Sequence, residues 1–143
     1  MNPLRTFPRT TQAICVGLLL PVKAAGLQPR VHLERVPHDG LQPQALVDAT
    51  GTTHLVWLGG DTRAAEVYYA QRPAGHAAWS AAMRVNSGAG SALAIGTIRG
   101  AQIALGRHGR VHVCWNGSER AEPRPAQGGA PLLYARMADD HAS

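Results

Sequence analysis

The sequence predicts an all-β chain made of β-propeller blades, each a four-stranded antiparallel meander. The main observation is a repeat. Residues 51–57, Gly-Thr-Thr-His-Leu-Val-Trp, return fifty-eight residues later as residues 109–115, Gly-Arg-Val-His-Val-Cys-Trp. Such self-similarity is typical of repeat architectures, in which a unit buries its apolar face only against its neighbours. Two units are visible in the sequence and no third, so we predict an incomplete propeller of about two blades.

The match extends on both sides of this core. Upstream, Gln44 aligns with Gln102 without a gap, and downstream Tyr69 aligns with Tyr134 once a seven-residue insertion is allowed in the second copy. A β-sandwich built from the same strands is the alternative architecture. A sandwich gives no reason for both copies to carry the same glutamine, glycine, histidine, tryptophan and tyrosine, whereas equivalent positions in stacked blades do.

Strands are indicated by short runs rich in β-branched and aromatic residues, bounded by turn residues. The first unit divides into strands at residues 44–48, 52–58, 66–72 and 79–86, which form blade one, about residues 44–86. The second unit supplies strands at residues 101–106, 110–115 and 131–137, a partial blade two of about residues 101–137. Residues 116–130, with two prolines and three glycines, are predicted to be a surface loop.

Side chains alternate between the two faces of a strand. His54 and Val56 therefore lie on one face and Trp57 on the other, and in the second copy His112 lies opposite Trp115. Cys114, in the middle of its strand, is predicted to be a small buried thiol.

The first 24 residues are typical of an export signal. Arg5 and Arg9 precede an apolar stretch of ten residues, and Val22-Lys23-Ala24 offers small residues for cleavage before Ala25. Ten residues are too few to span a bilayer as a helix. We therefore predict a signal peptide at residues 1–24, a mature domain at residues 25–143 and a secreted or periplasmic protein. A short buried helix is the alternative for this stretch.

Charge and motifs exclude several functions. From Ala25 onward the chain has eleven arginines and nine acidic residues, scattered along the sequence, so no nucleic-acid partner is expected. No phosphate loop, dinucleotide fingerprint or nucleophile elbow is present, and no cofactor is predicted. His112 and Cys114 supply only two ligands on one face, too few for a zinc site, so no metal is predicted.

The order of motifs from about Arg35 to Asp140 resembles the sialidase (neuraminidase) superfamily, six-bladed propellers with Asp-box repeats. Arg35-Val36-Pro37 is similar to the family's Phe/Tyr-Arg-Ile-Pro motif, with Glu34 in place of the aromatic residue. The Gly-Thr-Thr-His-Leu-Val-Trp segment resembles the Gly-Thr-Leu strand that follows this motif. Residues 71–80 resemble an Asp box that has lost its aspartate and is one residue longer.

The resemblance implies site residues. Sialidases use a tyrosine nucleophile, a trio of arginines for the sugar carboxylate and an aspartate as acid/base. It implies that Arg35 is the first of these arginines and that Asp61 is the acid/base. Arg99 is a further candidate for substrate binding. Each has a simpler interpretation, since Arg35 suits a solvated strand end and Asp61 suits a turn. Tyr69 and Tyr134 match no nucleophile motif and, as repeat equivalents, are interpreted as packing residues.

The expected function is therefore the N-terminal part of an exported sialidase-like hydrolase acting on terminal sialic acid, with later blades missing and the chain inactive alone. A non-catalytic carbohydrate-binding or interaction propeller is one alternative, and a truncated gene product is another. Unpaired strand edges promote association, so self-association through exposed blade edges is also expected.

Overall fold

The computed structural model describes residues 30–96 and 100–137, so the predicted signal peptide at residues 1–24 and Arg99 lie outside it. The all-β prediction is confirmed. All strands of the described residues lie in the compact unit Leu33–Ser143. The first sheet is an antiparallel meander of β1 (Leu41–Val47), β2 (Thr53–Asp61), β3 (Ala64–Arg72) and β4 (Met83–Arg84). The second contains β5 (Gln102–Leu105), β6 (Val111–Asn116) and β7 (Leu132–Arg136), also antiparallel and in chain order.

The fourth strand is much shorter than predicted. Residues 79–86 were expected to be extended, but only Met83 and Arg84 pair with β3. On both sides of this pair one backbone bond to β3 remains, from the Val85 N–H to Val67 and from the Ser80 N–H to Gln71, but side chains take the N–H groups of β3. The carboxamide Oδ1 of Asn86 accepts the Val67 N–H at 2.8 Å, and the Ser80 hydroxyl accepts the Gln71 N–H at 3.1 Å. Regular pairing therefore ends early because these side chains occupy the donors that a longer strand would have used.

The two copies of the repeat fold alike. The turns before β2 and β6 both place glycine in the left-handed region, with φ of 82° at Gly51 and 74° at Gly109. His54 Nδ1 lies 2.7 Å from the Tyr69 hydroxyl, and His112 Nδ1 lies 2.7 Å from the Tyr134 hydroxyl. The ring centroids are 6.0 Å apart in both pairs. The predicted equivalence of these positions is confirmed.

One apolar layer joins the two sheets. It is formed by the histidine-bearing face of the first sheet and the tryptophan-bearing face of the second, whose principal members are Val56, Leu58, Val67, Tyr69, Val111, Val113 and Trp115. The faces predicted from the alternation are thus confirmed. Full burial of one such side chain stabilises the fold by roughly 1.5–3 kcal/mol. Because opposite faces of equivalent sheets meet, the packing is head-to-tail.

A buried polar cluster fastens the segment that crosses between the sheets. Asn86 Nδ2 donates to the Glu66 carboxylate, to the Gly88 carbonyl at 2.7 Å and to the Ser91 hydroxyl at 3.1 Å. Beyond Ser91, Ala92 pairs with Ala65 of the first sheet and with Gly117 of the second. This segment therefore belongs to the hydrogen-bond ladders of both sheets.

The other face of the first sheet is covered by its own chain. Leu55, Trp57 and Ala70 form a second apolar cluster, against which Val36 and Trp79 pack. Arg72 holds this cover in place, because its guanidinium stacks over the Trp79 ring at 4.5 Å and donates to both Glu34 carboxylate oxygens at 2.8 and 2.9 Å.

Asn86→Ala should lower the free energy of unfolding by about 2–4 kcal/mol, because it leaves the buried Val67 N–H without an acceptor and one Glu66 carboxylate oxygen without its donor. Urea unfolding followed by circular dichroism measures the loss. The neighbouring exposed residue provides a control, and Ser87→Ala should change stability by less than about 0.5 kcal/mol. Equal effects of the two substitutions would show that the polar cluster contributes nothing to the fold.

Candidate functional site

A cavity lies at the end of the β2–β3 hairpin, and we call it the hairpin cavity. Its volume is about 460 Å³, and it is lined by Arg63, Leu93, Ile95, Gly117, Ser118, Glu119, Arg124, Gly129 and Ala130. These residues come from three sources: the hairpin, the crossing segment and the loop before β7. The volume is within the range of small-molecule sites, about 300–1,000 Å³.

Local hydrogen bonds bring these three sources together. Asp61 pairs with Ala64, so Thr62 and Arg63 form a two-residue turn at the end of the hairpin. The Ala94 N–H donates to the Thr62 carbonyl at 2.8 Å, which ties the crossing segment to this turn. On the far side, the Gly117 N–H donates to the Pro131 carbonyl at 2.7 Å and closes the base of the loop. The cavity walls are therefore fixed at three points of the backbone.

The chemistry of the cavity suits an anionic ligand with an apolar side. Arg63 and Arg124 contribute two guanidinium groups, and Glu119 contributes one carboxylate, a net charge of +1. A guanidinium donates paired hydrogen bonds that match a carboxylate or phosphate. Leu93 and Ile95 supply an apolar wall.

Asp61 lies on the hairpin that carries Arg63. Its carboxylate Oδ1 accepts the Arg63 N–H at 2.9 Å, and the residue is exposed. This bond stabilises the turn, as a turn aspartate commonly does. Asp61 thus helps to position Arg63, although it does not itself line the hairpin cavity.

Arg35 lies elsewhere. Its side chain is 95% exposed, with Nη1 4.0 Å from an oxygen of Asp39. It borders a shallow groove on the outer face of the first sheet, together with Pro43, Ala45 and Trp79. No hydrogen bond or ion pair joins Arg35 to Asp61 within residues 30–96 and 100–137. The two sequence candidates are therefore not brought into one cavity.

The two equivalent tyrosines differ in exposure. Tyr69 is 4% exposed within the layer between the sheets, as a packing residue should be, whereas Tyr134 is 60% exposed. Cys114, predicted to be buried, is only half-buried on the same face as Tyr134. This difference arises because a sheet covers the histidine-bearing face of the first sheet, while nothing in the described chain covers that of the second.

Asp48, His54 and Tyr69 form a hydrogen-bonded chain. His54 Nε2 lies 3.3 Å from Asp48 Oδ2, and its Nδ1 lies 2.7 Å from the Tyr69 hydroxyl, which also donates to Gln71 Oε1 at 3.3 Å. Burial and the Asp48 charge raise the pKa of Tyr69 above its ordinary value of 10. Because Tyr69 is enclosed between the sheets, these three hydrogen-bonded side chains order the core.

Arg63 and Arg124 were not among the site residues predicted from the sequence. Arg63 lies only two residues after Asp61, which the sequence analysis did single out as a candidate site residue. Arg124 lies in the insertion that the first copy lacks, and such an insertion is a place where function is often carried.

No group of three or more metal-ligating side chains is assembled among the described residues, and none of their helices is long and apolar enough to cross a membrane.

Asp48→Asn should reduce the dependence of the free energy of unfolding on pH in the acid range. The Thr50 hydroxyl donates to the carboxylate at 2.7 Å, and this bond, with bonds from the Thr52 N–H and His54, lowers the pKa of Asp48 from 3.8 to about 2. A depressed pKa stabilises the folded state above pH 4, and this stabilisation is lost as the pH falls towards 2. Urea unfolding at several pH values measures the slope. Thr50→Val should reduce in part the slope of the free energy of unfolding against pH. A slope that is unchanged in Asp48→Asn would contradict this account.

Comparisons of this chain with protein-family models, with curated proteins and with solved structures find no match. The geometry of the chain itself is therefore the basis for its proposed function.

Proposed function

We propose that this chain is part of an exported, sialidase-like glycoside hydrolase of the β-propeller type, and that its hairpin cavity receives a terminal sialic acid. The observation that carries the proposal is the pair Arg63 and Arg124 in a cavity of about 460 Å³. A sialic acid presents a carboxylate on a sugar ring, and two guanidinium groups supply the donors that hold it.

The remaining lining supports the same ligand class. Leu93 and Ile95 offer an apolar surface for the less polar face of a sugar ring, and Glu119 offers an acceptor for sugar hydroxyls. The backbone groups of the glycine-containing loop add further donors and acceptors. Ligand sites commonly combine an apolar wall with a few placed polar groups in this way.

The stacking of the sheets supports the propeller. Blades of a propeller are equivalent sheets that pack around a channel, and each uses one face for the preceding blade and the other face for the next. The packing of the His54 face on the Trp115 face has this head-to-tail character. The motif order described above supports six blades and a sialidase type of site.

In this proposal the resemblance assigns Asp61 as the acid/base, although it lies outside the residues that line the hairpin cavity. Its position on the hairpin that bears Arg63 supports the assignment, because the turn places both residues at the same end of the sheet. Proton transfer by a positioned side chain accounts for rate factors of about 10²–10⁴.

A non-catalytic carbohydrate-binding propeller is the second candidate. It is favoured by the separation of Arg35 from Asp61 and by the engagement of Tyr69 and Tyr134 with histidines. In this case the hairpin cavity binds an acidic sugar without cleaving it. Binding and hydrolysis experiments distinguish the two candidates.

The full chain should bind the methyl glycoside of N-acetylneuraminic acid, and it should bind the carboxyl methyl ester of the same sugar more weakly. Arg63→Ala and Arg124→Ala should each weaken binding of the acid about 10- to 100-fold, the effect of losing a charged hydrogen bond. Isothermal titration calorimetry measures both ligands. Arg107→Ala, at an exposed turn on the opposite end of the second sheet, is the matched control. Equal affinity for acid and ester would contradict a carboxylate site.

Hydrolysis of a fluorogenic sialoside tests the catalytic part. If Asp61 is the acid/base, Asp61→Asn should lower kcat about 10²–10⁴-fold, and Asp39→Asn, an exposed aspartate beside Arg35, should leave kcat unchanged. A rate unaffected by Asp61→Asn would refute the assignment. Binding of the sugar without hydrolysis would favour the carbohydrate-binding propeller.

A further inference from the structure

The histidine-bearing face of the second sheet repeats a face that the first sheet buries. In the first sheet, His54 is 5% exposed and Tyr69 is 4% exposed, because the second sheet covers them. Their equivalents bear the same hydrogen bond of 2.7 Å, yet Tyr134 is 60% exposed and Leu132 beside it is 73% exposed. A small, mostly apolar cavity of about 130 Å³ opens on this face, between Ala104, His112, Cys114 and Tyr134. We call this surface the His112 face.

The complementary surface is also open, on the outer side of β1. Within the molecule, the His54 face is met by Ile103, which is 8% exposed, and by Ala101, which is fully buried. The repeat aligns Ile103 with Ala45 and Ala101 with Pro43, and both of these β1 residues are exposed. Val47, on the same side of β1, is 63% exposed. We call this surface the β1 face.

We propose that a second copy of this chain docks its β1 face on the His112 face, so that copies repeat between molecules the contacts that β5 makes with the first sheet within one molecule. The partner follows from continuity with the observed interface: the His112 face is a copy of the His54 face, and the β1 face is a copy of the β5 part of the surface that covers it. Because the two surfaces differ, the contact is heterologous, and such contacts generate closed rings when the rotation between units closes.

Gln44 provides the polar part of this contact. Its side-chain Oε1 accepts the Ile103 N–H at 2.6 Å, and its Nε2 donates to Gln102 at 3.1 Å, which joins the innermost strands of the two sheets. Gln102 is the repeat equivalent of Gln44 and lies exposed at the rim of the His112 face. In the docked pair it meets the backbone of Ala45 in the next copy, so each added copy repeats the contacts of β5 and of Gln44.

The cover over Trp57 limits the contact to the inner strands. Val36 and Trp79 already pack on the cluster of Leu55 and Trp57, while Pro43 and Ala45 beside them stay exposed. Docking therefore centres on β1 and β5 and requires no displacement of this cover. Only the expected number of copies rests on the function proposed above. A six-bladed ring built from two-blade chains contains three copies, so its mass is three times the 15.1 kDa of one chain.

Native mass spectrometry and light scattering of the full chain at about 100 μM test the docking with three matched substitutions. Ala45→Arg blocks the β1 face, Ala104→Arg blocks the His112 face, and Ala77→Arg lies on the exposed turn between β3 and β4 as a control. We expect an assembly of the native chain and of Ala77→Arg, and monomers of each of the other two. Mixed in equal amounts, those two monomers should form a heterodimer, because each retains the face that the other has lost.

Three results would overturn the proposal: a monomeric native chain, an assembly that survives Ala45→Arg, as in a two-fold contact through the His112 face alone, or blocked variants that stay monomeric when mixed. If circular dichroism shows that either variant is unfolded, Val47→Lys and Leu132→Lys, at positions 63% and 73% exposed, replace them. The measured mass of the assembly tests the docking independently of sialoside cleavage. If the proposed enzymatic activity is refuted, the result on docking still stands.

Discussion

The apolar layer between the two sheets is the constraint on which the rest of the structure depends. Neither sheet has enough strands to enclose its own core, so each buries a face only by packing against the other. Val56, Val67 and Tyr69 on one side meet Val113 and Trp115 on the other, all at most 6% exposed. Because the two faces come from opposite sides of equivalent sheets, the layer also gives the stack of sheets a direction.

The same layer creates the hairpin cavity. Once the sheets are packed, the crossing segment must run from the first sheet to the second, and Ala92 pairs with a strand end of each. Asn86 and Ser91 supply the buried hydrogen bonds that this passage needs. The β2–β3 turn and the long loop before β7 are thereby held at one end of the layer, where Arg63 and Arg124 line one space. A binding site here is a consequence of how two repeats are joined.

The sequence predicted the features of the fold that recur at a regular spacing along the chain, namely strand faces and repeat-equivalent positions. Alternation placed His54 and Trp57 on opposite faces correctly, and the repeat predicted that Tyr69 and Tyr134 occupy equivalent positions. Strand length was wrong at β4, because Asn86 and Ser80 bond the backbone through their side chains, which no period reveals. The cavity was not predicted either. Its two arginines are far apart in the chain and line the same cavity only because of the crossing segment and the loop, and side-chain placement on irregular backbone is not encoded by spacing.

Amide hydrogen exchange of the full chain tests most directly the claim that the two sheets form one unit. If the layer holds them together, the paired amides of β2 and β3 and those of β5 and β6 should open with the same free energy, equal to that of global unfolding. If the sheets are independent, amides of β5 and β6 should exchange through a separate opening of lower free energy while β2 and β3 stay protected. That second result would contradict the account.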